Sequence, residues 1–262
     1  MSQQIPVIKL QDQNPAVRKV LEKSLREKEK RLLLEHPESR QLANALEKIH
    51  IALAKIEFPE LEYLDYIKKT YHEKGVASYL EIGVRWGDSL AMAKPGCMAV
   101  GVDPNFDLQH NLPSKPKLFS MTSDDFFFQC SDEYKASFEL IFLDGLHVAR
   151  QTAKDIWHSL EVLKPGGEIL VHDVLPVSMT VAQPETKSHF WTGDVWQSAY
   201  AFCKKEYPLK WEFIDAFPSG LLRLYDIDPT FRPPRAEIMK SVQEASQMKF
   251  EARELLDFLK AL

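Results

Sequence analysis

The chain has 262 residues, 45% hydrophobic and 27% charged, with a formal net charge of −5. That length holds one large α/β domain with a helical appendage, and the acidic balance disfavours a nucleic-acid backbone, which needs a basic field. Cys97, Cys130 and Cys203 are widely spaced with no CxxC pair, which argues against a disulfide framework or a zinc knuckle and fits a reducing cytoplasm.

The first residues, MSQQIPVIKLQDQ, lack the basic start and apolar run of a secretory signal. No stretch approaches the roughly 20 apolar residues of a membrane span, so a soluble cytoplasmic protein is expected. In NPAVRKVLEKSLREKEKRLLLEH, Val17, Val20, Leu21, Leu25 and Leu32 recur at roughly helical spacing, with Pro15 in the first turn. SRQLANALEKIHIALAKI and ELEYLDYIKKTYHEKG repeat the pattern, and Gly75 stands where a helix C-cap belongs. All ten glycines lie between Gly75 and Gly220, so both ends read as long helices with few turns. We therefore divide the chain into a helical extension over 1–74, a core over 75–227 and a second helical extension over 228–262. The extensions cover the core, close over a site as a lid, or join copies of the chain as a homo-oligomer.

The middle alternates. ASYLEIGV predicts a strand, DSLAMAK a helix, CMAVGVDP a strand, KLFSM a strand and SDDFFFQCSDEY a helix. FELIFLDG predicts a strand, ARQTAKDIWHSLEVL a helix, and GEILVHDV a strand after the turn Pro165-Gly166-Gly167. GDVWQSAYAFCKKEY predicts a helix, then KWEFIDAF and GLLRLYD an antiparallel finish. The expected fold is α/β: a doubly wound, mostly parallel, seven-stranded sheet of Rossmann-like type. Phe126 to Phe128 are expected in its core.

Such sheets bind ligands at the carboxyl ends of their strands, where strand order reverses. In YLEIGVRWGDSL, Gly83 is placed to turn the chain out of a strand and Gly87 to bring the next segment close to a ligand. The dinucleotide pattern G-x-G-x-x-G is absent, with Arg85 at its second glycine, and Glu81 would repel a diphosphate. That disfavours an NAD-dependent oxidoreductase. A carboxylate there attracts an ammonium group, and Asp103 at the next strand end can take two ribose hydroxyls. An acid, two glycines and a second acid suit S-adenosylmethionine.

EIGVRWGDS, GVDP, LDGLH, LKPGGEILVHD and GDVW, in that order, resemble the class I S-adenosylmethionine-dependent methyltransferases, in the branch of macrocin-type, sugar and natural-product O-methyltransferases. The resemblance spans about Ser78 to Asp226. It implies that Glu81, Gly83 and Gly87 line the methionine part of the cofactor, that Asp103 holds the ribose, and that Ser123 or Asp124 meets the adenine. Ser123 and Asp124 are also placed to cap a helix.

FELIFLDGLH ends a strand with Asp144 and places His147 three residues on; GEILVHDV ends another with His172-Asp173. Neighbouring strand ends lie about 5 Å apart, so Asp144 and Asp173 can converge on Mg²⁺. The resemblance implies such an acid pair for a divalent ion and His147 as general base, giving His147, Asp144 and Asp173 as catalytic residues, with Asp144 also beside the cofactor. It departs at His172, where the branch carries Glu. That imidazole either makes the metal set Asp144, His172 and Asp173 and admits softer ions such as Mn²⁺, Fe²⁺ or Zn²⁺, or ends metal dependence altogether. The long connection VLPVSMTVAQPETKSHFWTG carries His189, Phe190 and Trp191, which suit an acceptor pocket or lid; Trp196 reads as core and Asp194 as a helix cap. The reaction expected is O-methylation of a small hydroxylated acceptor, a sugar or secondary metabolite. An N-methyltransferase or a non-catalytic nucleoside-binding scaffold are the alternatives.

Overall fold

The computed structural model describes residues 14–35, 40–251 and 253–262. Three helices lead the chain: α1 (Pro15–Glu35), α2 (Arg40–Glu57) and α3 (Tyr63–Lys74). Gly75 ends α3 in the left-handed conformation, φ 62°, as its position predicts. Next come β1 (Ser78–Ile82), β2 (Met98–Val102), β3 (Lys117–Phe119), α4 (Ser123–Cys130), β4 (Phe138–Leu143), α5 (Ala149–Val162) and β5 (Leu163–His172). α6 (Trp196–Cys203), β6 (Lys210–Ile214), β7 (Leu221–Tyr225), α7 (Arg235–Ser246) and α8 (Glu254–Lys260) complete it.

The seven strands form one sheet in the order β3-β2-β1-β4-β5-β7-β6. β1 to β5 pair in parallel, and β7 pairs antiparallel with both β5 and β6. Strand order reverses between β1 and β4, so their carboxyl ends flank the crevice that such sheets use for ligands. Register puts the site residues level. Ile82 pairs with Val102 and Leu143, and Leu143 with Val171. The next residues along, Asp103, Gly83, Asp144 and His172, therefore stand side by side.

Side-chain alternation splits the core in two. Leu80, Ile82, Ile141, Leu143, Ile169 and Val171 pack on one face with residues of α2 and α4 to α8. Tyr79, Leu140, Phe142 and Leu170 pack on the other with Ile67 and Tyr71 of α3. Each such side chain contributes about 1.5–3 kcal/mol on burial.

Four local expectations are corrected. DSLAMAK forms only a 3₁₀ turn, Leu90–Met92; Pro95 and Gly96 soon follow, and Ser89 spends its hydroxyl on Glu81. α3, from ahead of the sheet, covers that face instead. Pro165-Gly166-Gly167 lies inside β5 as an irregularity in its pairing with β4 rather than before the strand. Phe126 and Phe127 are buried but Phe128 is exposed. On α1, Val17 and Val20 face solvent while Glu22 and Glu29 are buried, because charged partners rather than apolar spacing select the inner face. No helix among the described residues is long and apolar enough to cross a membrane.

Candidate active site

A cavity of about 830 Å³ opens over the β1/β4 reversal. Gly83 forms its floor with φ +87°, and a Cβ there would lie 2.1 Å from the Asp144 carbonyl oxygen. The β1 and β4 ends touch through bare backbone, so only glycine fits. Beyond it Arg85 takes a left-handed conformation, φ 44°. Its N–H and that of Asn105 donate to the two Asp103 carboxylate oxygens at 2.8 and 2.7 Å. Asp103 is thereby fixed at the cavity edge with lone pairs to spare for hydroxyl groups.

Ser123 and Asp124 also line the cavity. Neither caps α4; Thr122 does, accepting the Asp125 N–H at 3.1 Å. The Gln151 amide donates to Ser123 Oγ at 3.1 Å and Asp124 Oδ1 at 3.0 Å, and reaches Asp155 Oδ1 at 3.0 Å. Gln151 and Lys154 hold the Asp124 carboxyl below its ordinary value, whereas burial pushes Asp155 up to about 7.

Two residues expected on the cofactor wall stand elsewhere. Glu81 is 0% exposed beneath the Gly83 turn, accepting from Tyr79 Oη at 2.6 Å and Ser89 Oγ at 2.7 Å. Burial pushes its carboxyl up to about 8, partly offset by those two hydrogen bonds. Ser89, one of its two partners, lines the cavity, so Glu81 stands one hydrogen bond behind the wall and braces the turn. Gly87 is not on the wall either and no helix starts there; its φ of +83° is what requires glycine.

At the β4 and β5 ends, two carboxylates and two imidazoles form a closed ring. His147 Nε2 lies 3.0 Å from Asp173 Oδ2 and 3.7 Å from Asp144 Oδ1. His172 Nδ1 lies 3.1 Å from Asp144 Oδ1 and 3.7 Å from Asp173 Oδ2. Asp173 occupies this position in a left-handed conformation, φ 62°, and accepts from Ser219 Oγ. Such strain in a non-glycine residue is typical of functional sites. Among the described ion pairs, neither acid has a Lys or Arg partner. Burial alone would raise the Asp144 carboxyl; the His172 and His147 imidazoles overcome it and hold it below the usual carboxylate range. Burial likewise opposes protonation of His147, but Asp173 and Asp144 raise it to about 9. The same balance raises His172.

The donor atoms that fall within 4.8 Å of one another belong to Asp144, His147 and Asp173, whereas sequence spacing grouped His172 with the two acids. His172 stands behind them, 7% exposed, with its second nitrogen 3.4 Å from Ser219 Oγ. The Tyr63 ring stacks on it at 4.2 Å. His147 is oriented by its other nitrogen, since Nδ1 donates to the Trp191 carbonyl at 2.9 Å and leaves Nε2 facing the acids. Asp194 caps α5 rather than α6, accepting the Ala149 N–H at 2.7 Å. Trp196 is core, as expected, and His189 lines the cavity.

Sequence reasoning missed Tyr63, Gln151 and Ser219. Tyr63 is the one described residue before β1 that lines the cavity, and in sequence it is one apolar position of an ordinary amphipathic helix. Gln151 sits in the first turn of α5 and Ser219 in the β6–β7 turn, neither with a motif to mark it.

Residues 80–174 match a family described as a methyltransferase domain. That span runs from β1 to just past β5 and includes every cofactor, catalytic and metal residue expected from sequence. Among solved structures, the fold resembles the O-methyltransferase TomG from Streptomyces achromogenes, involved in tomaymycin synthesis and seen with S-adenosylmethionine; identity is 12% over 79% of this chain and 99% of that chain, with TM-score 0.50. It also resembles cofactor-bound Rv0187 from MTB, at 13% identity over 75% of this chain and 94% of that chain, TM-score 0.50. No curated protein matches the chain by sequence. Residues 80–174 thus match a methyltransferase domain, set on a Rossmann-like α/β sheet whose fold these O-methyltransferase and cofactor-bound structures share.

Proposed function

We propose that the chain is an S-adenosylmethionine-dependent methyltransferase that transfers the methyl group to a hydroxyl of a small acceptor, with a divalent cation held by Asp144 and Asp173. The observation that carries the reading is the meeting of two carboxylates and an imidazole nitrogen at the strand ends, in the cavity that Gly83 and Asp103 share.

The donor set fits a divalent ion. Two acids crowd together without a Lys or Arg partner, and hard oxygen ligands beside an oriented imidazole suit Mg²⁺ or Mn²⁺. Bound there, the ion would lower the pKa of an acceptor hydroxyl beside it. The rest falls to the chain. The methyl group leaves a positively charged sulfur, so the barrier lies in presenting an oriented, deprotonated oxygen. The Trp191 carbonyl keeps the proton of neutral His147 on Nδ1, which leaves the Nε2 lone pair to take the acceptor proton. Asp173, 3.0 Å away, then stabilises the imidazolium. Asp103 orients the ribose, Gln151 holds Ser123 and Asp124 against the adenine end, and the Tyr63 ring shields His172 from water.

The test is transfer of labelled methyl from S-adenosylmethionine across paired hydroxyl and amine acceptors, with and without EDTA. O-methylation that EDTA abolishes and Mg²⁺ or Mn²⁺ restores supports the proposal. Transfer to amines alone, indifferent to EDTA, replaces it with N-methylation.

A further inference from the structure

A second histidine, outside the cavity lining, is tied to His147 through a short stretch of backbone. His50 of α2 is 0% exposed. Its Nε2 lies 3.0 Å from Glu29 Oε1 on α1, and its Nδ1 lies 3.3 Å from Ser188 Oγ. The Ser188 hydroxyl donates its single proton to the Phe190 carbonyl at 2.7 Å, so toward His50 it can only accept. Nδ1 is therefore the donor toward Ser188, and Nε2 faces the Glu29 carboxylate. Burial opposes ionisation of Glu29, yet its carboxyl lies below its ordinary value, with the His50 imidazole bonded to it as the main opposing cause.

The segment so held is the one that orients the base. Trp191 follows Phe190, and its carbonyl accepts the His147 Nδ1–H. The Trp191 ring lies 5.1 Å from the His147 ring. At Gly193 an added Cβ would fall 1.9 Å from the His147 carbonyl oxygen, so the two backbones are in direct contact. Arg26 of α1 pins the start of the same connection by donating to the Val177 carbonyl at 3.0 Å. The helices ahead of the sheet thus grip the outer side of 177–190, while its far end holds the imidazole.

We propose that Glu29 and His50 are positioning residues for His147: through Ser188 and the 188–191 backbone they fix the carbonyl that selects its Nδ1–H form. This rests on the reading of His147 as the base that takes the acceptor proton. Loss of the tether lets the Trp191 carbonyl wander, and the Nε2–H form of neutral His147, which cannot accept that proton, becomes populated.

The experiment compares wild type with Ser188→Ala and His50→Asn, the second keeping a donor on the Ser188 side, in EDTA-treated protein at about pH 10, where His147 is neutral. Imidazole ¹⁵N–¹H spectra, assigned with His147→Ala, report which nitrogen of His147 is protonated. Hydrogen exchange reports the Trp191 to Gly193 amides, and calorimetry reports binding of S-adenosylhomocysteine. The expected result is a rise of the Nε2–H form of His147 and exchange faster on the order of tenfold at those amides, the scale typical of lost outer-shell partners. Cofactor-product affinity should hold within about twofold, because its site rests on β1, β2 and α4. Folded variants with wild-type His147 signals overturn the proposal, as does exchange that quickens equally across the sheet. The two readings fail separately: if His147→Ala retains full methyl transfer, the base assignment falls, while the spectra still decide the tether.

Discussion

Two regions of this molecule bury acids against histidine or arginine, and they do so to different ends. In the seam between α1, α2 and α8, Arg26 lies 2.9 Å from Glu22, and Arg253 lies 2.8 Å from Glu22 and 3.1 Å from Glu57. Glu29 has His50. Glu22 and Glu57 are shared between two arginines, and none of these seam residues lines the cavity. At the strand ends, Asp144 and Asp173 share two imidazoles, no Lys or Arg among the described residues pairs with them, and the ring opens into the cavity. A self-sufficient cluster holds helices together. A cluster short of cation, held by a strained backbone and open to a ligand, is built for chemistry.

The contrast predicts that variants of the two regions separate cleanly. His147→Ala or Asp144→Asn should lower kcat by about 10²–10⁴, the range for a lost general base or its partner, with little change in S-adenosylmethionine affinity. Steady-state kinetics with isothermal titration decides this, and wild-type kcat in either variant would return the ring to a structural role. Arg26→Ala should do the reverse. It leaves Glu22 and Glu57 to Arg253 alone and should cost about 3 kcal/mol of stability, seen in denaturant melts, while cofactor affinity is retained. Gly83→Ala falls between. Its Cβ would meet the Asp144 carbonyl, so both stability and cofactor binding should suffer, by about 2–4 kcal/mol in melting experiments.

Much of this was legible beforehand, for physical reasons. Buried parallel strands read as apolar runs, and the residues that end them, Gly83, Asp103, Asp144 and Asp173, are where polarity returns. What spacing could not show was which imidazole joins the acids. That depends on Asp173 turning left-handed and on the Trp191 carbonyl reaching back across 44 residues to His147. Nor could it show that the Glu81 carboxylate is closed off from the cavity, which follows from the Tyr79 and Ser89 hydroxyls both donating to it. Glu22 and Glu29 defeat apolar periodicity in the same way: their partners come from distant segments.

Smaller effects sharpen the comparison. Asp103→Ala should weaken S-adenosylmethionine by about 10–100-fold, the worth of charged hydrogen bonds to two hydroxyls, without changing the pH dependence of transfer. Calorimetry checks it, and unchanged affinity would remove Asp103 from the ribose. The histidines set a pH signature. His147 is raised from 6.5 to about 9 in the folded protein, so its protonated form contributes stability in full below about pH 6.5, and that contribution is lost as pH rises through 9. Metal-free protein should therefore melt a few degrees lower at pH 9.5 than at pH 7, and His147→Ala should flatten that slope. Over the same window Mn²⁺ should bind more tightly, because losing the imidazolium charge beside Asp144 and Asp173 removes the repulsion against a second cation.

The most direct measurement is titration of Mn²⁺, followed by calorimetry and electron paramagnetic resonance, into EDTA-stripped protein holding S-adenosylhomocysteine, for wild type and for Asp173→Asn. The account predicts one ion per chain in wild type and none at comparable concentration in the variant, with both melting as folded proteins. Equal binding in the two, or no binding in wild type together with methyl transfer that EDTA leaves untouched, would contradict it.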